Sequence, residues 1–155
     1  MPSRRDQIKM SADERAQFLD EEKTLTCATV GIDGRPHLMP LWFVRDGAEL
    51  RGWTFAKSQK TKNLERDPHA TIQVEAGVDY QDLRGVMMEC DVVVVREVEA
   101  VADHGMELFE RYGGTSELPP ETRDMVLAQA PKRVGLCFIP TRVVSWDHRK
   151  LGGVY

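Results

Sequence analysis

The chain has 155 residues, of which 41% are hydrophobic and 30% charged, with a formal net charge of −4. That size allows one domain with a real core, and the acidic balance gives a nucleic-acid role no general electrostatic support. No apolar run approaches the roughly 20 residues needed to span a membrane, and the opening MPSRRDQIKMSADE lacks the apolar stretch of a signal peptide.

Residues 1–10 read as a loose polar lead and 11–155 as one domain. A first helix is expected over 11–22, where Ser11 and Glu14 have capping-box spacing and Phe18 and Leu19 give a narrow apolar face. From Leu25 the period changes to that of strands. LTCATVG alternates, Asp33-Gly34 signals a hairpin turn, and residues 36–45 (PHLMPLWFVR) return. Pro40 cannot donate to a ladder, so it marks an edge, a bulge or a bend. Asp46-Gly47 then turns into ELRGWTF, which completes a three-stranded meander and sets Trp42 and Trp53 near each other across the sheet.

A short helix follows over 57–66, with Ser58 at the N-cap and Pro68 just past its end. A helix N-terminus offers unpaired N–H groups and a positive dipole end, and Lys57 and Lys60 beside it make an anion seat in an acidic chain. Further strands are expected over 69–76 and 86–96. The continuous run 92–95 is that of a strand covered on both faces. An amphipathic helix over 97–112 stops at Gly113-Gly114, and a short helix over 121–130 follows a loop at 115–120. Strands at 133–139 and 141–146 meet at Pro140. The sum is mainly β, six to seven antiparallel strands with a few connecting helices, and a barrel hides the edges of such a sheet.

Chemistry-bearing residues are sparse. The four histidines share no ligand spacing, and no nucleophile-elbow or dinucleotide-binding fingerprint occurs. Cys27, Cys90 and Cys137 each fall in a strand-like apolar stretch and read as small buried hydrophobes, which makes a cytoplasmic location the expectation. Glu89 and Asp91 share one strand face and read as its solvent side. Trp146 sits among Arg142, Arg149 and Lys150, a setting that suits a flat anionic ligand or a subunit contact.

The stretch Trp53-Thr54-Phe55-Ala56-Lys57-Ser58-Gln59-Lys60 resembles the W/Y-T-x-x-x-S-x-K of the pyridoxamine 5′-phosphate oxidase-like split β-barrels. AKSQK–NLxRDP, Asp82-Leu83-Arg84-Gly85 and the ending SWDHRKLG resemble one branch, the F-420-binding flavin/deazaflavin oxidoreductases. The resemblance runs from about Leu25 to Gly153 and implies a split barrel of the FMN-binding type. It also implies a homodimer with the cofactor cleft at the interface, and coenzyme F-420 as cofactor with FMN as the alternative. By position, Lys57, Ser58, Lys60 and Asn63 would hold the cofactor phosphate, Gln59 would be a further cofactor-binding residue, and Thr54 with Pro40, Leu41 and Trp42 would line the ring. Trp146 and Arg149 match a W-x-x-R supplied by the partner subunit. Gln59 stands where flavin-dependent oxidases carry arginine, and their C-terminal R-L-x-P is absent, so FMN and pyridoxamine phosphate fit less well. The implied activity is hydride transfer to or from an electron-poor acceptor such as an enone, quinone or tetrapyrrole. The alternatives are a protein that holds F-420 or flavin without turnover, or an FMN-dependent oxidase. No side chain stands out as a proton donor, and solvent, His37 and Tyr80 are the options considered.

Overall fold

A computed structural model describes residues 1–115 and 117–153; Ser116, within the 115–120 loop, lies outside the described residues. Seven antiparallel strands form one sheet in the order β2-β1-β5-β6-β7-β4-β3. They are β1 (Leu25–Val30), β2 (Pro36–Leu41), β3 (Val44–Asp46), β4 (Glu49–Phe55), β5 (His69–Ala76), β6 (Arg84–Val95) and β7 (Arg133–Asp147). Among the described residues five α-helices accompany them: α1 (Arg4–Gln7), α2 (Ala12–Glu21), α3 (Gln59–Arg66), α4 (Val98–Tyr112) and α5 (Thr122–Gln129). The fold is the mainly β split barrel expected from the sequence.

The single strand expected over 36–45 is broken in two. β2 pairs with β1 and β3 pairs with β4, so the two pieces lie at opposite edges of the sheet. Chain continuity through Trp42 and Phe43 brings those edges together end to end, which closes the barrel without a ladder between them. Pro40 lies on edge strand β2 opposite Thr26, where its missing N–H costs no internal bond. At the break, Phe43 is fully buried while Trp42 is 57% exposed and stacks on Tyr112 (centroids 4.5 Å apart, 10° between planes). Trp53 takes different partners, Gly105 of α4 and the Arg133 guanidinium, so the two tryptophans do not form the pair expected across the hairpin.

Two further expectations are corrected. β7 runs unbroken through Pro140, and the irregularity is a bulge. The register passes from Glu89↔Arg142 to Cys90↔Pro140, which leaves Thr141 unpaired with its hydroxyl donating to the Glu89 carbonyl at 3.1 Å. In the valine run, Val92 is buried but Val93 is 49% exposed, so one face of β6 is open there.

The remaining helices follow their local signals. Ser11 and Glu14 form the expected capping box of α2. The first ten residues contain a turn of helix capped reciprocally by Ser3 and Asp6, and their end is docked. The Met10 N–H donates to Ser145 Oγ at 3.1 Å, and the Ile8 carbonyl accepts from the Asp147 N–H at 2.8 Å. α4 lies across β4 and β7 and, with α5, buries a second small core of Val101, Ala102, Val126 and Ala130 outside the barrel. The main core, including Leu25, Phe43, Leu50, Ile72, Leu136 and Phe138, fills the barrel interior. Among the described residues no helix is long and apolar enough to cross a membrane.

Candidate functional site

At the end of β4 the chain turns sharply into α3. Ser58 adopts extended backbone angles and its hydroxyl accepts the Thr61 N–H at 3.3 Å. Thr61 in turn donates its hydroxyl to the Phe55 carbonyl at 3.0 Å, and the Ser58 N–H reaches the same carbonyl at 3.0 Å. The first turn of α3 is thereby bolted to the strand it follows, as the S-x-K spacing requires.

Lys60 is the unusual group. It is only 6% exposed, and its Nζ donates to Thr54 Oγ1 at 2.9 Å. No carboxylate pairs with it among the described residues, and two of its three N–H bonds have no acceptor there. Burial holds its pKa below the ordinary 10.5. A buried cation without a counter-ion is costly, and a bound anion would relieve that cost. Thr54 is buried and its hydroxyl anchors Lys60.

Asn63 is fully buried and its amide is committed. Nδ2 donates to Thr29 Oγ1 at 3.0 Å, and Oδ1 accepts from Gln59 Nε2 at 2.9 Å. Asn63 therefore fixes α3 to β1 and orients Gln59. Asn63→Ala is expected to cost about 1–3 kcal/mol of stability, the penalty for stranding a buried partner, measured by urea unfolding. A change under a few tenths of a kcal/mol contradicts this role.

The cations around the α3 N-terminus are unpaired. Lys57 and Lys62 are exposed, and neither they nor Lys132 has an ion pair among the described residues. Arg133, which sequence reasoning missed, joins them. It lies opposite Phe55 in the β4–β7 register, with its guanidinium over the rings of Phe55 (4.1 Å) and Trp53 (4.4 Å). Its Nε is buried with no acceptor, and burial alone lowers its pKa. The sequence shows only an arginine at the start of the last strand; the β4–β7 register that brings it here is a feature of the fold.

The other expected site residues lie elsewhere on the chain. Pro40, Leu41 and Trp42 cluster at the β2–β3 break. Trp146 sits at the far end of β7, its ring lying over Gly85, where an added Cβ would come within 2.3 Å. From the Phe55↔Arg133 pair to the Gly85↔Trp146 pair, β7 spans on the order of 40 Å of strand. Arg149 is turned onto Asp147 (Nε to Oδ1 2.9 Å, Nη2 to Oδ2 2.7 Å), which holds that carboxyl below the usual range. Trp146 thus stands toward the end of β7 opposite the one that pairs with Phe55, just before Ser58. His37 lies opposite Thr29 with its Nδ1 buried and without a partner among the described residues. Tyr80 packs edge-on against His148. Cys27 and Cys90 are buried as expected, and burial raises both thiols, to about 11 and about 12. Cys137 departs from that reading. It is half-buried, with Sγ 3.5 Å from His104 Nε2.

A seven-stranded antiparallel split barrel with a Ser-capped basic helix at one end is the architecture that the sequence resemblance implied. Residues 11–147 match the pyridoxamine 5′-phosphate oxidase family, and the chain belongs to it. It is similar to the conserved hypothetical protein Rv2991 from Mycobacterium tuberculosis, at 41% identity and a TM-score of 0.89, covering 99% of this chain and 95% of that one. An F-420 reductase is 26% identical with a TM-score of 0.64, covering 82% of this chain and 93% of that one. HutZ, the heme storage protein from Vibrio cholerae, shares the fold at 21% identity and a TM-score of 0.67, covering 86% and 93%. Among curated proteins, none matches the chain.

Proposed function

We propose that this protein is an oxidoreductase that binds coenzyme F-420. The deazaflavin would supply hydride chemistry toward a small electron-poor acceptor such as an enone, quinone or tetrapyrrole. The observation that carries the reading is Lys60, in the first turn of the Ser58-capped helix α3, buried and without an acidic partner among the described residues. Unsatisfied N–H groups, a positive helix end and an ammonium with spare donors fit a phosphate. Ser58, Lys57, Gln59 and Lys60 would hold it, and Asn63 would keep the helix in place. The 26% likeness to an F-420 reductase supports F-420 over FMN, as does Gln59 in place of arginine.

We propose further that the protein works as a homodimer in the cytoplasm, with each cleft completed by the other chain's Trp146 and Arg149. Two observations support this: the place of Trp146 toward the end of β7 opposite the one that pairs with Phe55, and the exposed apolar side chains Leu38, Val93 and Ile139 on the sheet. Substrate would then be positioned against the cofactor by the apolar β2–β3 corner at Pro40, Leu41 and Trp42.

A carrier that binds the cofactor without turnover needs the same seat. What favours that second reading is the setting of the two candidate proton donors. His37 faces Thr29, and Tyr80 packs on His148. Oxidation of reduced F-420, followed by absorbance with a panel of enones, quinones and a tetrapyrrole, separates the two. Turnover with at least one acceptor supports the enzyme, whereas tight binding with no turnover across the panel supports the carrier.

A further inference from the structure

We infer that Arg133 forms a second anion subsite beside the Ser58 seat, so that the ligand carries another anionic group, a carboxylate or a phosphate, beyond the one held at the helix. The inference rests on the reading that the Ser58 seat takes a phosphate.

The argument begins with placement. Arg133 faces Phe55 across the β4–β7 pair, and the Ala56 N–H donates to the Lys132 carbonyl at 2.9 Å. The segment carrying Arg133 is thus tied to the loop that ends in the Ser58 cap. Next comes partnership. Arg45, Arg51, Arg123, Arg142 and Arg149 each meet a carboxylate, and Arg15, Arg66 and Arg111 each reach a backbone carbonyl. Arg133 has neither among the described residues, although it is only partly exposed and its Nε is buried. In an acidic chain with 25 carboxylates, their absence around a half-buried guanidinium is a local feature of the fold.

Stacking on the Trp53 and Phe55 rings explains how the group stays in place, since aromatic faces attract a guanidinium and fix its plane. Ring faces do not replace hydrogen-bond acceptors, and the buried Nε has none among the described residues. A planar guanidinium fork with unpaired donors is matched to the two oxygens of a carboxylate or phosphate. Lys132, exposed and unpaired, adds positive charge next to it. Gln at position 133 would keep a similar stem and remove the charge, and Lys would keep the charge and lose the fork.

The test pairs ligands that differ in the second anionic group. F-420 is compared with F-420 whose tail carboxylates are capped as methyl amides, and FAD with FMN, by calorimetric titration of full-length protein. Wild type is expected to favour the member with the second anionic group, the tail carboxylates of F-420 or the second phosphate of FAD, in at least one pair. Arg133→Gln is expected to erase that preference, a loss of about tenfold for a charge-assisted pair, and Arg133→Lys to retain part of it. The F-420 pair reports a carboxylate and the FAD pair a phosphate. Lys60→Met is expected to weaken every phosphate-bearing ligand alike, so it reports on the seat itself. A wild type with no preference in either pair, or an Arg133→Gln protein that keeps the wild-type preference, overturns the subsite. If Lys60→Met leaves every affinity unchanged, the phosphate seat falls and the subsite with it. Thermal melting of each variant confirms that the protein remains folded.

Discussion

Lys60→Met is expected to weaken F-420 binding by about 1.5–3 kcal/mol, roughly 10- to 150-fold, the range for losing a charge-assisted hydrogen bond in a shielded site. The same substitution is expected to leave the ligand-free protein as stable as wild type or more so. Lys60 is 6% exposed, faces no acid among the described residues, and keeps its charge against desolvation. Replacing such a group by an apolar chain of similar length removes the cost of burying it. Thr54 loses a donor but its hydroxyl can still donate elsewhere. The pH dependence has a definite sign. The folded-state pKa lies below 10.5, so the unfolded chain binds more protons in the window between the two values. Wild-type stability from this group therefore rises with pH through that window, and the rise disappears in Lys60→Met. A bound anion lifts the folded pKa back, so ligand binding within the window takes up protons. Titration calorimetry in buffers of different ionisation enthalpy measures that uptake. A variant that binds as tightly as wild type would mean that the ammonium serves only the fold.

Arg111→Ala is expected to produce the largest loss of stability, about 3 kcal/mol, because it strands several backbone carbonyls at once. The Arg111 Nη2 lies 2.8, 3.0 and 2.7 Å from the carbonyls of Leu19, Asp20 and Glu22, which end α2. Its Nη1 donates to the Phe43 carbonyl and lies 3.1 Å from the Tyr112 hydroxyl. The guanidinium also stacks on the Phe43 ring at 4.6 Å. One side chain thus joins the last turn of α2, the C-terminal end of α4 and the β2–β3 break that closes the barrel. Tyr112 completes the clamp by accepting the Phe43 N–H at 3.0 Å and stacking on Trp42. The loss should be accompanied by a changed tryptophan emission from Trp42 before global unfolding. Chemical denaturation followed by far-ultraviolet dichroism and by fluorescence checks both points. A cost below about 1 kcal/mol, the range of an exposed side chain, contradicts the clamp.

Most strands and helices were legible in the sequence because their signals are local. β5 matches its expected bounds, and α2 and α3 start at the capping residues that mark them. The break at Trp42–Phe43 was not legible. Residues 36–45 carry one continuous strand-like pattern, and only tertiary closure, with Arg111 and Tyr112 arriving from α4, decides where it splits. Thr141 was hidden for a similar reason. A proline beside a bulge looks like a strand end until the partner strand is known.

For the candidate site, the sequence identified the helix start and its basic character, but it could not say which groups face inward. Asn63 and Thr54 have the residue types of ligand contacts, yet the fold spends both on internal hydrogen bonds. Arg133 shows the reverse. It lies far along the chain from the S-x-K motif, and only the β4–β7 register brings it to Phe55. Neutralising partners are three-dimensional facts, so an unpaired arginine cannot be recognised from composition.

The most direct test of the central claim is a titration of full-length protein with F-420 and with FMN, read by quenching of tryptophan fluorescence and confirmed by calorimetry. Saturable F-420 binding at one per chain, tighter than FMN and lost in step with Lys60→Met, is the expected result. Tight binding of FMN with none of F-420 would contradict it.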